Sequence, residues 1–202
     1  MKKLAAVIFP GFELLDVFGP LEMFGVCVKD YEVCLVAEQA GPVASSQGPV
    51  AEAAHGFDNA PAFDLILVPG GRGTRREVDN ARLVDWIAGA ADRAELVLTV
   101  CTGTSLLART GLLDGRQATT NKIAFDWVAG QSDKVEWVRQ ARWVEDGKYW
   151  TSSGVSAGMD MSLAVLAHLK NQEFAEQVAV WTEYDWHRDP ACDPFAEIHG
   201  LV

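Results

Sequence analysis

Short, continuous apolar runs alternate along this chain with stretches of helical periodicity. The apolar runs at positions 3–9, 31–37, 65–68 and 96–100 predict buried β-strands. Apolar residues at helical spacing predict helices at 14–24, at 83–94, from Cys101 to about Gly111, from 156 or 158 to 169, and at 174–181.

The remaining segments are shorter and less regular. Positions 43–56 are rich in Gly, Ser, Ala and Pro and predict short strands or a surface excursion. Thr119-Thr120-Asn121 opens a short predicted helix, and Asp146-Gly147 suits the turn of a β-hairpin spanning 143–151. The segment from Asp185 onward is predicted to be irregular. This alternation predicts one α/β domain over residues 1–202, with a mainly parallel sheet covered by helices on both faces.

Unusual residues follow three of the predicted strands. In a parallel sheet, ligands bind beyond the carboxyl ends of the strands. If these three strands are neighbours, the segments after them meet at one rim. Those segments are Pro10-Gly11 with Asp16 nearby, Pro69-Gly70-Gly71, and Cys101-Thr102-Gly103.

Cys101 is the candidate nucleophile. A buried strand, a small-residue turn and a helix in immediate succession are typical of a nucleophile elbow. The helix start would favour thiolate over thiol and so lower the pKa of the cysteine. The alternative is a buried structural cysteine, since free cysteines are among the most buried residues.

The other cysteines are weaker candidates. Cys27 and Cys34 lie in apolar periodic segments and are expected in the core, while Cys192 lies in the tail. Their spacing matches no zinc motif, and four cysteines in a chain of this length do not make a disulfide scaffold. We therefore expect reduced thiols and no metal.

Asp16 is the candidate partner of Cys101. It stands among Leu14, Leu15, Val17 and Phe18, where a carboxylate must face solvent or find a partner. Beside a cysteine at the rim it would be desolvated, so its protonated form would be favoured and the pair would titrate together.

Two alternatives stay open for Asp16, namely a solvated helix face and a helix cap. Glu13 and Glu22 compete for the role of proton donor, but neither has so apolar a setting.

Gly70 and Gly71 follow a buried strand with no side chain to hide their N–H groups. Together with the N–H of Thr102 they are candidates for an oxyanion or substrate-binding site. A plain glycine turn explains them equally well. Neither a phosphate-binding loop nor a dinucleotide fingerprint is present, and no cofactor is expected.

The histidines are less promising as catalysts. His187 stands among charged residues of the tail, where a salt-bridged contact is expected. The others are on an apolar helix (His168), near the terminus (His199) and in the irregular segment (His55).

Charge and hydropathy narrow the partners. The net charge of −11 argues against nucleic acid and anionic lipid surfaces. No apolar run approaches the ~20 residues that span a bilayer. The first residues could open a signal peptide, but Pro10-Gly11 followed by acidic residues fits a core strand better. A small-molecule substrate and a cytoplasmic location are expected.

Several motifs together resemble one known family, the ThiJ/PfpI (DJ-one) superfamily of class I glutamine amidotransferase-like proteins. The resemblance covers nearly the whole chain. It implies a flavodoxin-like three-layer α/β/α sandwich, usually dimeric, with a cysteine at the elbow and a carboxylic acid on the first helix. These correspond to Cys101 and Asp16. The segments that carry the resemblance are 14–20, 69–71, 100–104, 111–115, 118–120 and 154–160.

Within that family, the chain is most similar to isonitrile hydratases and to the amidotransferase-like half of AraC-type regulators. Protease-like members have His directly after the cysteine, where this chain has Thr102. Regulators carry a DNA-binding region after this domain, which neither the end at Val202 nor the charge favours. Some isonitrile hydratases have His after the paired threonines, where this chain has Asn121.

The resemblance implies a hydro-lyase that adds water to an isonitrile through a covalent Cys101 thioimidate and gives an N-substituted formamide. Two alternatives stay open. One is a redox sensor with an oxidisable cysteine, and the other is a glyoxalase- or amidase-type hydrolase. A homodimer is expected, with Trp181, Trp186 and Phe195 as candidate interface residues.

Overall fold

A seven-stranded β-sheet forms the middle layer of the computed structural model, which describes residues 1–202. The chain has eleven strands in all, and seven of them belong to this sheet. The eleven are β1 (Lys2–Val7), β2 (Tyr31–Ala37), β3 (Gly41–Ala44), β4 (Val50–Ala53), β5 (His55–Gly56), β6 (Leu65–Val68), β7 (Leu96–Val100), β8 (Gln117–Ala118), β9 (Glu136–Trp137), β10 (Trp143–Asp146) and β11 (Tyr149–Ser152). The main sheet has the order β10-β11-β7-β6-β1-β2-β5. Its pairs are parallel except β10 with β11, so the predicted mainly parallel sheet is confirmed.

Helices cover the sheet in two groups, which gives the predicted three-layer α/β/α fold. The helices are α1 (Leu14–Gly25), α2 (Thr74–Glu77), α3 (Ala81–Arg93), α4 (Gly103–Arg109), α5 (Phe125–Ala129), α6 (Ala157–Leu169), α7 (Gln172–Trp181) and α8 (Phe195–Ile198). Helices α1 and α7 both pack on α6, whereas α2, α3 and α5 pack on α4. None of these helices is both long and apolar enough to cross a bilayer.

The central strands are buried on both faces. Every residue of β6 and of β7 is buried, as expected for continuous apolar runs in a parallel sheet. Two helices begin at asparagine caps. The Asn80 side chain accepts from the N–H of Leu83 at 3.3 Å, and the Asn171 side chain accepts from the N–H of Phe174 at 2.8 Å.

Local predictions differ from the structure in several places, and one is the tail from Asp185 onward, which was predicted to be irregular but contains α8 (Phe195–Ile198). The hairpin is present, but Asp146 pairs with Tyr149, so its two-residue loop is Gly147-Lys148 rather than Asp146-Gly147. The helix predicted to open at 119–121 begins only at Phe125, as α5. The short strand β8 ends at Ala118, and a turn leads from it to α5. The short helix α2 was not predicted, because four residues are too few to show helical periodicity.

Strands β1, β6 and β7 lie side by side, so the segments after them meet at one rim. Backbone hydrogen bonds join these segments directly. The N–H of Glu13 donates to the carbonyl of Gly70, and the N–H of Gly73 donates to the carbonyl of Gly11, both at 2.9 Å. The candidate site is therefore built on a rigid junction of three loops.

Candidate active site

Cys101 occupies a sharp turn between β7 and α4. Its φ is +57°, in the left-handed region that side-chain-bearing residues rarely adopt. Two hydrogen bonds hold this turn: the Cys101 N–H donates to the carbonyl of Ser152 at 3.2 Å, and Thr120 Oγ1 donates to the carbonyl of Cys101 at 2.7 Å. The strand, the strained residue and the helix make the predicted nucleophile elbow.

Asp16 lies in the first turn of α1 and is fully buried. Its Oδ2 accepts the N–H of Gly70 at 2.9 Å, and its Oδ1 is buried without a well-formed hydrogen bond of its own. The side chain neither faces solvent nor caps the helix. It interacts instead with the thiol of Cys101, so the structure brings the two predicted residues together.

Burial sets the protonation of this pair. Desolvation raises the pKa of Asp16 well above its usual range and outweighs the opposing hydrogen bond from Gly70. Desolvation also raises the pKa of the Cys101 thiol, and the nearby Asp16 charge adds to this, while the Thr102 N–H opposes it. The expected lowering of the cysteine pKa by the helix start is therefore wrong for the free protein. Both groups therefore keep their protons, and they titrate as a coupled pair.

Gly70 and Gly71 do not have free N–H groups, contrary to the oxyanion-hole prediction. The Gly70 N–H donates to Asp16, and the Gly71 N–H donates to Thr102 Oγ1 at 3.1 Å. A Cβ on Gly70 would lie 2.6 Å from the Thr102 nitrogen and 2.9 Å from Asp16 Oδ2. The glycine therefore permits close approach of the Asp16 segment to the elbow. Of the three predicted donors, the Thr102 N–H is the one that acts on the sulfur.

Asn121 and Gly154 lie beside the sulfur. A Cβ on Gly154 would overlap Asn121 Nδ2 and lie 3.0 Å from Cys101 Sγ, so the amide and the sulfur flank the same small space. Asn121 Oδ1 accepts the N–H of Ala124 at 3.1 Å, which leaves Nδ2 as the donor on this side. Sequence reasoning noted Asn121 as a departure from relatives and did not identify Gly154 as a site residue.

A cleft of about 470 Å³ opens beside the sulfur. It is large enough for a small organic molecule. Polar residues make up most of its lining. The lining residues are Glu13, Gly71, Arg72, Arg75, Cys101, Thr102, Asn121, Ile123, Ala124 and Val155.

A buried ion pair supports the Asn121 segment. Lys122 Nζ donates to Thr119 Oγ1 at 2.8 Å and to the carbonyl of Ala141 at 2.6 Å, and it lies 3.8 Å from Asp193 Oδ2. Burial lowers the pKa of Lys122 to about 8, although the Asp193 charge opposes this. Nothing local in the sequence distinguishes this lysine from a solvated one.

Apart from Glu13, the remaining candidates lie outside the cleft. His187 is exposed, and the expected salt bridge is absent, because the neighbouring Arg188 forms the ion pair of this segment, with Glu176 at 2.7 Å. The backbone N–H of His187 donates to Asp160 Oδ1 at 2.9 Å. Glu22 faces solvent on α1, whereas Glu13 lines the cleft. His168 packs edge-on against Trp150, and His199 lines a neighbouring hollow.

The other thiols also lie outside the cleft. Cys27 is buried and Cys34 half-buried, as their apolar segments indicate. Cys192 is exposed in the tail. Cys101 is therefore the cysteine that the cleft presents.

Comparison with known proteins agrees with this architecture. A sequence profile of the DJ-1/PfpI family matches residues 2–168. The isonitrile hydratase of Pseudomonas putida is 32% identical over 178 residues, which are 88% of this chain and 76% of that protein. A deglycase of Pyrococcus horikoshii is 30% identical over 133 residues, which are 65% of this chain and 78% of that protein. The crystal structure of a ThiJ/PfpI family protein from Pseudomonas syringae superposes with a TM-score of 0.83 at 31% identity, covering 92% of this chain and 76% of that one.

Proposed function

This chain belongs to the DJ-1/PfpI family, and on that premise we propose that it is a cysteine-dependent hydratase that converts an isonitrile to an N-substituted formamide. The observation that carries the proposal is the buried Asp16–Cys101 pair at the elbow, facing a cleft of small-molecule size. The similarity to an isonitrile hydratase over most of both chains supports the choice of substrate class.

The first step adds the thiol across the terminal carbon of the isonitrile. Cys101 Sγ forms a bond to that carbon, and one proton of the pair passes through Asp16 to the same carbon. The product is a covalent thioimidate, R–N=CH–S–Cys101. A carboxyl whose pKa is raised by burial suits this transfer, because it still carries a proton near neutral pH.

The second step hydrolyses the thioimidate. A water oxygen bonds to the thioimidate carbon, one water proton goes to Asp16, and a proton from Asp16 goes to the substrate nitrogen. The carbon–sulfur bond then breaks, the carbonyl forms, and the hydroxyl proton returns to the pair as the formamide leaves. The two steps together consume one isonitrile and one water, so no cofactor is needed.

Two donors are placed to assist these steps. The Thr102 N–H acts on the sulfur and would stabilise the thiolate as it leaves. The Nδ2 amide of Asn121 flanks the same space and would donate to the substrate nitrogen or to the attacking water. Fixed donors in a buried site stabilise developing charge more than they would in water.

The test is turnover of a simple alkyl isonitrile, with formamide followed by NMR. Wild-type protein should hydrate it, and Cys101→Ala should not. Cys192→Ala is the matched control, because it removes an exposed thiol outside the cleft and should leave the rate unchanged. Intact-mass analysis after acid quench should show the substrate added to wild-type protein and to Cys192→Ala but not to Cys101→Ala. Normal turnover by Cys101→Ala would refute the proposal.

A second candidate function is deglycase- or glyoxalase-type action on carbonyl compounds. The specific support is the similarity to a deglycase across 78% of that protein's length. The same thiol would add to a carbonyl carbon, so Cys101→Ala abolishes both activities. A parallel assay with methylglyoxal, a simple amide and an isonitrile separates the candidates by the substrate turned over.

The raised pKa of the Cys101 thiol argues against redox sensing as the primary role, because peroxide-sensing cysteines have a lowered pKa and are thiolates at rest. Oxidation of Cys101 by mild peroxide faster than of exposed Cys192, with no turnover of any test substrate, would favour the sensor instead.

We also propose that the protein forms a homodimer. Several large apolar side chains are exposed on α1 and near the C-terminus, namely Leu15, Phe18, Trp181 and Phe195. Sedimentation velocity should give the mass of two chains, and a single 22.0 kDa species across the concentration range would contradict the proposal.

A further inference from the structure

We propose that the substrate carries a carboxylate, which Arg72 and Arg75 bind in the same cleft that presents Cys101. This inference rests on the proposed function and deepens it, since it names the chemical class within the isonitriles. The two arginines would form a specificity site for the end of the substrate that does not react.

Charge distribution is the first observation. The chain has a net charge of −11, yet two arginines and one carboxylate, Glu13, line the cleft beside the sulfur. Neither arginine forms an ion pair within the protein, whereas the adjacent Arg76 pairs with Glu77 at 2.6 Å. The Glu13 carboxylate is engaged by the Gln47 amide. The cleft lining therefore carries more positive than negative charge, with two arginines free of ion pairs and one carboxylate.

Arg75 is held in place for binding. Its guanidinium carbon lies 4.1 Å from the centroid of the Trp127 ring, and its Nη1 donates to Thr74 Oγ1 at 3.2 Å. Stacking on an aromatic face uses one side of the plane and leaves the edge donors available. A guanidinium edge matches the two oxygens of a carboxylate, so a held arginine binds this group with directional preference.

The same contacts connect Arg75 to the elbow. Thr74 Oγ1 donates to Thr102 Oγ1 at 3.1 Å, and Thr102 directly follows the nucleophile. The anion site and the sulfur therefore keep a fixed separation, which would set the length of the substrate.

Arg72 stands on a loop with equally firm support. Its backbone N–H donates to Ser46 Oγ at 3.2 Å. Arg72 lies between Gly71 and Gly73, and both glycines pack tightly against the loop after β1. A Cβ on Gly71 would lie within 2.7 Å of the Phe12 backbone, so this loop has little room to move. The backbone of Arg72 is thereby fixed at the cleft, and the residue itself is exposed.

The primary test does not depend on isonitrile chemistry. Iodoacetate and iodoacetamide alkylate thiols by the same displacement of iodide. They differ in that iodoacetate carries a carboxylate and iodoacetamide a neutral amide. Rates of labelling at Cys101 are measured by peptide mass spectrometry on wild-type protein, Arg72→Gln and Arg75→Gln. Arg93→Gln is the matched control, because it removes the same charge from an unpaired, exposed arginine near the start of β7, at the opposite end of that strand from Cys101.

Each arginine substitution at the cleft should slow iodoacetate about tenfold and leave the iodoacetamide rate nearly unchanged, as expected for loss of one charge-assisted contact. The control should change neither rate. Equal effects on both reagents, no effect on either, or no labelling of Cys101 by either reagent would overturn the inference.

A second measurement separates this inference from the proposed function. Isocyanoacetate and its methyl ester are compared as substrates, and the acid should have the higher kcat/KM, with the preference lost in Arg75→Gln. If neither compound is hydrated while iodoacetate labelling still depends on the two arginines, the proposed function fails and the anion site stands. If both are hydrated with equal kcat/KM in all variants, the anion site fails and the proposed function stands.

Discussion

Thr120 Oγ1 donates a hydrogen bond of 2.7 Å to the carbonyl oxygen of Cys101 and thereby holds the one residue of the site with strained backbone. The next residue along the chain, Asn121, places its amide beside the sulfur. The segment Thr120-Asn121 therefore both fixes the elbow and forms part of the wall beside the sulfur. A left-handed φ at a non-glycine residue persists only where surrounding contacts hold it.

Replacing Thr120 with Val should weaken the elbow, because it removes the hydroxyl donor and keeps nearly the same side-chain volume. The buried carbonyl of Cys101 would lose its shorter hydrogen bond and keep the longer one from Thr104 Oγ1 at 3.4 Å, so the free energy of unfolding should fall by about 0.5–1.5 kcal/mol. We also expect slower turnover, because the sulfur would no longer be fixed relative to Asp16. Urea unfolding and kcat measure the two effects.

Thr110→Val is the matched control for Thr120→Val. Thr110 Oγ1 also donates to a backbone carbonyl, that of Leu107 at 2.6 Å, but it lies at the end of α4 away from the cleft. This variant should lose some stability and keep its kcat. Equal loss of kcat in both variants would contradict the role of Thr120 at the elbow.

Asp16→Asn tests the protonated carboxyl. Asparagine keeps an acceptor for the Gly70 N–H but carries no acidic proton, so turnover should fall about 100- to 10,000-fold. The fold should remain, which circular dichroism checks. Retention of near-normal kcat would show that proton transfer does not pass through this side chain.

The same substitution should change how stability depends on pH. Asp16 titrates near pH 4 when unfolded, and burial raises its pKa in the folded protein. The unfolded chain therefore releases this proton first, so the contribution of Asp16 to stability is fully present below about pH 4 and is lost as pH rises through the folded pKa. The asparagine side chain does not titrate, so the Asp16→Asn variant should gain on wild type as pH rises above about 4.

Thermal unfolding at several pH values checks this sign. Asp133→Asn, which removes an exposed carboxylate, should leave the wild-type pH profile unchanged. A constant difference between Asp16→Asn and wild type at all pH values would contradict a raised pKa at Asp16.

The fold was largely predictable because its central strands carry strong local signals. Continuous apolar runs such as 65–68 and 96–100 predict buried parallel strands, and both strands are buried at every residue. The contact between Asp16 and Cys101 is different, because it requires β1, β6 and β7 to be neighbours. No local pattern encodes strand order, and the family resemblance supplied it.

Two errors at the site have one physical cause. The thiol pKa was predicted from the helix start, but the enclosure that raises it comes partly from Asn121 and Gly154, far along the chain. Likewise, the N–H groups of Gly70 and Gly71 were assumed free, although side chains from other elements accept both. Burial and partner choice are tertiary properties, so reasoning from each segment alone missed them.

Gly154→Ala should close the space beside the sulfur. The added methyl group would overlap the Asn121 amide and lie 3.0 Å from Cys101 Sγ, so either the amide or the substrate must be displaced. We expect turnover to fall at least about tenfold. Kinetics on a series of isonitriles of increasing size should show the larger substrates affected most.

Gly89→Ala is the matched control for Gly154→Ala. It lies inside α3, where an added Cβ meets nothing closer than 3.9 Å, and alanine favours helix over glycine by about 1 kcal/mol. This variant should be slightly more stable and fully active. If Gly154→Ala also keeps full activity, the space beside Gly154 is not used by the substrate.

The buried pair of Lys122 and Asp193 should couple the C-terminal segment to the site. Lys122→Met would leave the Asp193 carboxylate buried without its cation, which costs about 3–5 kcal/mol of unfolding free energy. Adding Asp193→Asn removes the unpaired charge, so the double variant should be more stable than the sum of the single losses predicts. Urea unfolding of the four proteins gives this coupling energy.

Lys134→Met is the control for Lys122→Met, because Lys134 pairs with Asp114 at 3.0 Å on the surface. Solvent screens that pair, so its loss should change stability little. Lys122→Met should also lower kcat, since the lysine holds the turn that carries Asn121, and the double variant, which lacks the same lysine, should not recover it. A coupling energy near zero would mean that the ammonium group acts through its hydrogen bonds to Thr119 and Ala141, and that Asp193 contributes nothing to the position of Asn121.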